Sequence, residues 1–223
     1  MYCSSHILKE GPGTPLVFLH GFLGKSEDWE GVISHLTHCP CIGVDLPGHG
    51  LSSFHETFDF SPPAPRFHLI GYSMGGRLAM QYALRFAERI DRLLLIGAHP
   101  GLKTEKEKKE RLQSDAKWAD LLLHLSIDEF LHRWYDQPLF YGFKPDLSMR
   151  RKQNKSELVK SFLHYSLGNQ LSCHLEKAIH IVGEKDLKFR ALYPNAIVVP
   201  NAGHAVHLEN PKALANIIKE NIL

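Results

Sequence analysis

The feature that most constrains this chain is a short apolar run, Phe67 to Ile70, that passes directly into Gly71-Tyr72-Ser73-Met74-Gly75-Gly76 and then into the helix-forming Arg77-Leu78-Ala79-Met80. A strand that becomes a helix across one sharp corner, with a serine at the corner, leaves few backbone solutions. Glycines at positions 71 and 75 are expected because side chains two residues either side of the serine would collide with the turn.

Other short apolar runs bounded by turn signals read as buried strands: Leu16 to Leu19, Ile42 to Val44, Leu93 to Ile96, Ile179 to Val182 and Ala196 to Val199. Ser5 to Leu8 supplies at most an abbreviated edge strand. Helical spacing appears over Arg77 to Arg89 and over Pro211 to Ile222, the latter with proline in the first turn. Strands alternating with helices predict an α/β fold with a mostly parallel central sheet flanked by helices. From about 101 to 171 the rhythm breaks into charged, Leu-rich and aromatic sequence with helical periodicity. This stretch is expected to be a helical cap inserted into a single domain spanning 1–223, lying over the carboxyl ends of the strands where ligands bind.

Composition narrows the function classes. Hydrophobic residues are 43% and charged residues 22% of the 223 positions, which is ordinary for a globular enzyme. The formal charge of +2 is mixed along the chain and makes no general case for nucleic acid or membrane as a partner. The dense charge run Lys103 to Arg111 reads first as a solvated helix face. Cys3, Cys39, Cys41 and Cys173 lack zinc-site spacing, so reduced thiols and a cytoplasmic location are expected. The first residues carry no basic start, and no apolar stretch approaches the roughly 20 residues of a bilayer span.

A corner serine needs a base, and in such folds its partners follow in the order serine, acid, histidine. Asp186 lies just after the Ile179 to Val182 run, with Glu184 as the weaker alternative. His204 lies just after Ala196 to Val199, with His207 as the rival. Asp186 would fix the imidazole tautomer and His204 would take the serine proton, leaving Ser73 as nucleophile or base. Two backbone N–H groups could hold developing negative charge: that of Met74 at the start of the helix, and that of Phe22 in His20-Gly21-Phe22. His20 and His49 read as turn-stabilising residues. Arg77, four positions after Ser73, shares its helix face and adds a permanent cation that a neutral ester would not require, its plain reading being an outward solubilising residue. Its charge is also expected to help keep His204 neutral.

These features resemble the α/β-hydrolase fold. Longer strings sharpen the resemblance: Gly71 to Arg77; Ala98-His99-Pro100-Gly101-Leu102; Glu110-Arg111 with Ser114-Asp115 and Trp118; Trp134 to Phe140; Gly183 to Asp186 with Lys188-Phe189; and Ala202-Gly203-His204 with His207 and Glu209-Asn210-Pro211. Together they resemble the 2-succinyl-6-hydroxy-2,4-cyclohexadiene-1-carboxylate synthases of menaquinone biosynthesis over most of the chain. The resemblance implies a lyase that expels pyruvate, with Ser73, His204 and Asp186 as general-base machinery and Phe22 and Met74 as oxyanion donors. It implies no metal and no organic cofactor. Tyr72, Arg77, Arg111, Trp134 and either Arg150 or Arg151 match positions that line the family's pocket for an anionic small molecule. Trp134 also has a plain reading as a core aromatic of the cap.

The chain departs from the family between Leu51 and Arg66, where a helix is usual. Pro62, Pro63 and Pro65 oppose one here, so part of one sheet face is expected to be thinly covered. Two other readings stand beside the lyase: a serine esterase or carbon–carbon bond hydrolase using the same triad, and a catalytically silent binding protein. The oligomeric state is not legible in the sequence.

Overall fold

The computed structural model describes residues 3–61 and 64–223. Its centre is a seven-stranded sheet of β1 (Ser5–Lys9), β2 (Leu16–Leu19), β3 (Cys41–Val44), β4 (Phe67–Tyr72), β5 (Ile90–Ile96), β6 (Ile179–Gly183) and β7 (Ile197–Val199). The spatial order is β1-β3-β2-β4-β5-β6-β7, with β1 antiparallel to β3 and all other pairs parallel. The order reverses at β2: the chain leaves β2 for β3 on one side, while β4 lies on the other. Loops from the carboxyl ends of β2 and β4 therefore diverge and open a crevice between them.

Side-chain alternation along the strands divides the core into two faces. Leu16 and Phe18 of β2 join Ile70, Tyr72, Leu94 and Ile96 beneath α1 (Glu30–Ile33). Val17 and Leu19 join Phe67, Leu69, Leu93 and Leu95 beneath α2 (Met74–Arg85). All residues of β2, β3 and β4 are buried, as continuous apolar runs in a doubly covered parallel sheet should be.

The expected thin cover on one face is corrected by the structure. No helix forms between Leu51 and Arg66 among the described residues, and Pro62 and Pro63 lie outside those residues. Instead an extended strap carries Phe58 and Phe60 into the core, where they are 5% and 1% exposed. Phe60 stacks on Tyr82 of α2 with ring centroids 4.8 Å apart, and meets Phe67 of β4 at 5.7 Å. The Cys3 N–H donates to Asp59 O at 2.9 Å, and Arg85 Nη1 donates to Phe58 O at 3.0 Å, so the strap is stitched at both sides. Two aromatic rings supply the apolar cover that a helix would otherwise give.

Between β5 and β6 the described residues form no strand but three main helices, α3 (Glu105–His124), α4 (Ile127–Tyr135) and α5 (Lys155–His164). Thr104 and Glu107 form a reciprocal capping box at the start of α3, and Ser126 and Glu129 do the same for α4. These helices bury their own cluster, including Leu122, Phe130, Leu131, Leu158 and Phe162. Leu23, from the loop after β2, belongs to that cluster too, so the cap rests on the crevice. The chain closes with α6 (Leu187–Leu192), α7 (Val206–Glu209) and α8 (Pro211–Ile222), the last capped by the Asn210 side chain. Among the described residues, no helix is long and apolar enough to cross a membrane.

Candidate active site

Ser73 sits at the corner between β4 and α2 with φ 50° and ψ −111°, a region that non-glycine residues rarely occupy. The neighbouring glycines explain how the corner can exist. A Cβ on Gly75 would lie 2.3 Å from His20 O and 2.5 Å from Leu19 O, and one on Gly71 would lie 2.6 Å from the Gly76 Cα. The Gly71 clash is with the turn itself, as expected, whereas that of Gly75 is with the end of β2.

Asp186 leaves β6 and caps α6, accepting the Phe189 N–H on Oδ1 at 3.2 Å. His204 follows β7 and donates from Nδ1 to Asp186 Oδ2 at 2.7 Å. Its Nε2 accepts the Ser73 hydroxyl at 3.2 Å. The three residues, drawn from the ends of three strands, therefore meet as a hydrogen-bonded relay. Asp186 and His204 are almost fully buried, at 5% and 2% exposure, which keeps water from competing for the bond between them. Glu184 is exposed and accepts the Asn201 N–H instead. His207 packs on Tyr72 and Trp29 and makes no hydrogen bond to the relay.

The loop after β2 faces this relay. His20 and His49 spend both ring nitrogens on backbone groups, the turn-stabilising use expected of them. His20 donates to Gly21 O and accepts from Leu46 N; His49 donates to Pro47 O and accepts from Leu23 N. Burial, with neighbouring His20 adding, pushes His49 down to about 3, so the ring is neutral at ordinary pH. Phe22 and Met74 both line the cavity above Ser73. As the first helical residue, Met74 has an N–H without an acceptor in its own helix.

That cavity has a volume of about 880 Å³. Its walls hold Tyr72, Arg77, Arg111, Trp134 and Arg150, every pocket residue expected from sequence. Trp134 packs in the cap against Phe22, Trp118 and Phe162 with centroids at 5.0, 5.1 and 5.6 Å, and it also lines the cavity. Of the two candidate cap arginines, Arg150 points inward at 6% exposure, while Arg151 pairs with Asp128 at the surface.

The arginines differ in how their charge is met. Arg150 holds Asp28 from Nη2 at 3.0 Å and donates from Nε to the Tyr135 hydroxyl at 2.7 Å. Arg111 donates from Nε to both oxygens of Asp115, at 2.8 and 2.9 Å, and Asp115 also accepts from the Ser166 hydroxyl. Among the described residues Arg77 has only neutral acceptors, Tyr165 O at 2.8 Å and Gln170 Oε1 at 3.2 Å. Burial, reinforced by Arg111, pulls its guanidinium down to about 9. The charge of Arg77 is also felt by His99, which burial, Lys188, Arg77 and Arg111 together hold at about 4. One wall of the cavity thus carries more positive charge than its carboxylates balance.

Sequence reasoning missed His99 and Lys188 as cavity residues, and missed the carboxylates that hold the arginines. The spacing of four from Arg111 to Asp115 on a helix was an available signal. Nothing local connects Asp28 to Arg150, 122 residues apart. Among the described residues, no group of three or more His, Cys, Asp or Glu side chains is placed to hold a metal ion.

Comparison with known proteins identifies the family. Residues 16–217 match the pattern of the Alpha/beta hydrolase family. A 2-succinyl-6-hydroxy-2,4-cyclohexadiene-1-carboxylate synthase from Salmonella typhimurium is 34% identical over 237 aligned positions, covering 94% of each chain. The chain belongs to this synthase family of alpha/beta hydrolases. A putative synthase of the same name from Haemophilus influenzae is also 34% identical, across 93% of this chain and 97% of its own. Among solved structures, MenH from S. aureus superposes with a TM-score of 0.80 at 25% identity, over 98% of this chain and 97% of that one. A malate-bound thermophilic esterase from Thermogutta terrifontis shares the fold, with a TM-score of 0.70 at 18% identity over 97% and 91% of the two chains.

Proposed function

We propose that this enzyme is the lyase of menaquinone biosynthesis that eliminates pyruvate from 2-succinyl-5-enolpyruvyl-6-hydroxy-3-cyclohexene-1-carboxylate, with the triad as its general base. Family membership supports the reaction, and the observation that carries the substrate reading is Arg77: a partly buried side chain one helical turn after Ser73, with no carboxylate partner among the described residues. A substrate bearing several carboxylates supplies the missing anion, and guanidinium forks bind carboxylates in a fixed geometry. Arg111, Arg150, Tyr72 and Trp134 complete the anion-binding wall.

In this reading Ser73 Oγ removes a ring proton as its own proton passes to His204 Nε2, with Asp186 stabilising the imidazolium. The C–H electron pair moves toward the adjacent succinyl carbonyl, whose oxygen becomes negative. The N–H groups of Phe22 and Met74 hold that oxygen. Return of the electron pair forms a new ring double bond, shifts the existing one along the ring and breaks the C–O bond to the enolpyruvyl group; the departing enolate takes up a proton, which the His204 imidazolium can return, and becomes pyruvate. Holding the reactant between these groups supplies orientation as well as charge stabilisation.

The same relay would serve a serine esterase, and substrate charge separates the two. Purified enzyme should release pyruvate from the pathway intermediate. Ser73→Ala should lose that activity, and Arg77→Ala should weaken it mainly through KM. Turnover of neutral esters alone would reject the lyase, and binding of the intermediate without turnover would favour a silent descendant.

A further inference from the structure

We propose that Gln153 is a positioning residue for the oxyanion loop: from the cap, it holds the backbone that presents the Phe22 N–H. The inference rests on the oxyanion role given above to Phe22.

Leu23, immediately after Phe22, has φ 66°, in the left-handed region that a branched side chain does not favour. Such a conformation persists only where its surroundings over-determine it. Three kinds of contact do so here. His49 accepts the Leu23 N–H at 3.3 Å from the neighbouring loop. The Leu23 side chain is fully buried in the cap cluster, and the Phe22 ring lies against Phe162 of α5 at 4.5 Å. Gln153 supplies the third: its Nε2 donates to Leu23 O at 3.3 Å and to Gly24 O at 2.8 Å.

The other end of the same amide accepts the Gly50 N–H at 2.9 Å, so one side chain joins both loops at the rim of the crevice to the cap. Gln153 ends the turn Arg150–Lys152, which also carries Arg150 to Asp28. Residues three apart in the cap therefore grip both ends of the segment from Leu23 to Asp28. The oxyanion loop is held by the cap as much as by the sheet. Seating of the cap then sets where the Phe22 N–H points. Gln153 is not among the cavity-lining residues, so it acts through the loop and not on the substrate.

The test is steady-state pyruvate release by Gln153→Ala and Gln153→Glu, run beside Ser73→Ala, with thermal midpoints for all. Gln153→Glu keeps the side-chain volume and the acceptor for Gly50 while removing the donors to Leu23 and Gly24, so a folded variant is in hand even if alanine loosens the cap. Both variants should lower kcat by about tenfold or more, the scale of a small misplacement of catalytic groups, with KM within about twofold of wild type. A folded Gln153→Glu enzyme with unchanged kcat, or one whose loss lies in KM alone, overturns the proposal. Full activity in Ser73→Ala would instead overturn the catalytic reading on which the proposal rests.

Discussion

Replacing Phe60 with alanine tests whether the strap truly does a helix's work. The ring is 1% exposed and touches Tyr82, Phe67 and Phe58, with centroids 4.8, 5.7 and 5.8 Å away. Burying such a side chain is worth about 1.5–3 kcal/mol on transfer alone. The residual cavity raises the usual cost of Phe→Ala to about 3–5 kcal/mol. Because the strap lies at the edge of the core and can partly collapse, the low end, about 3 kcal/mol, is expected. In a chain of this size each kcal/mol lowers the thermal midpoint by roughly 2–4 °C, so the variant should melt about 6–12 °C earlier. Circular dichroism during heating, paired with urea titration, measures the shift. Since Phe60 does not line the cavity, kcat at 20 °C should stay within about twofold of wild type, as surface-remote changes usually leave the chemistry intact. A midpoint lowered by less than about 2 °C would show that the strap is a passive cover, because the loss would then match an ordinary surface substitution.

Three further outcomes follow from the site. Arg77→Met should raise KM for the lyase substrate by about tenfold to a hundredfold, the range of one lost charge-assisted hydrogen bond, and an unchanged KM would remove Arg77 from the substrate site. Arg150→Met leaves Asp28 buried without its cation and should cost about 3 kcal/mol in urea unfolding; pairing it with Asp28→Asn should recover much of that, and equal losses in the single and double variants would refute the coupling. Burial holds His49 at about 3 and His99 at about 4 in the folded protein, whereas an unfolded histidine titrates near 6.5. The unfolded chain therefore binds more protons below about pH 6.5, so the urea midpoint should fall as pH drops from there toward about 4, and a flat midpoint across that window contradicts the burial argument.

The parts of this fold that were legible in the sequence are those whose signals are local. Leu16–Leu19 and Pro211–Ile222 fall where the apolar pattern and the Pro211 turn put them. The relay was legible because each member lies shortly after a strand: Ser73 directly after β4, Asp186 three residues after β6 and His204 five residues after β7. Arg77 was legible from helical spacing alone. What escaped depends on contacts between distant segments. The strap of Phe58 and Phe60 reads as a loop because proline signals oppose a helix but say nothing of where aromatic rings pack. The choice between Arg150 and Arg151 turns on Asp28, and the grip of Gln153 on Leu23 spans 130 positions. Neither leaves any periodic mark in the sequence. His99 and Lys188 belong to strings that resemble the family, but their use as cavity walls depends on how the cap closes over the sheet.

The backbone of Ser73 carries one more consequence. A residue held at φ 50° and ψ −111° stores conformational cost that a glycine would not incur. Ser73→Gly should therefore resist urea at least as well as wild type while turning over nothing, a comparison that a simple denaturation series settles. On this account the fold is sturdiest in its inert form, and tension wound into a single peptide corner is what keeps it working.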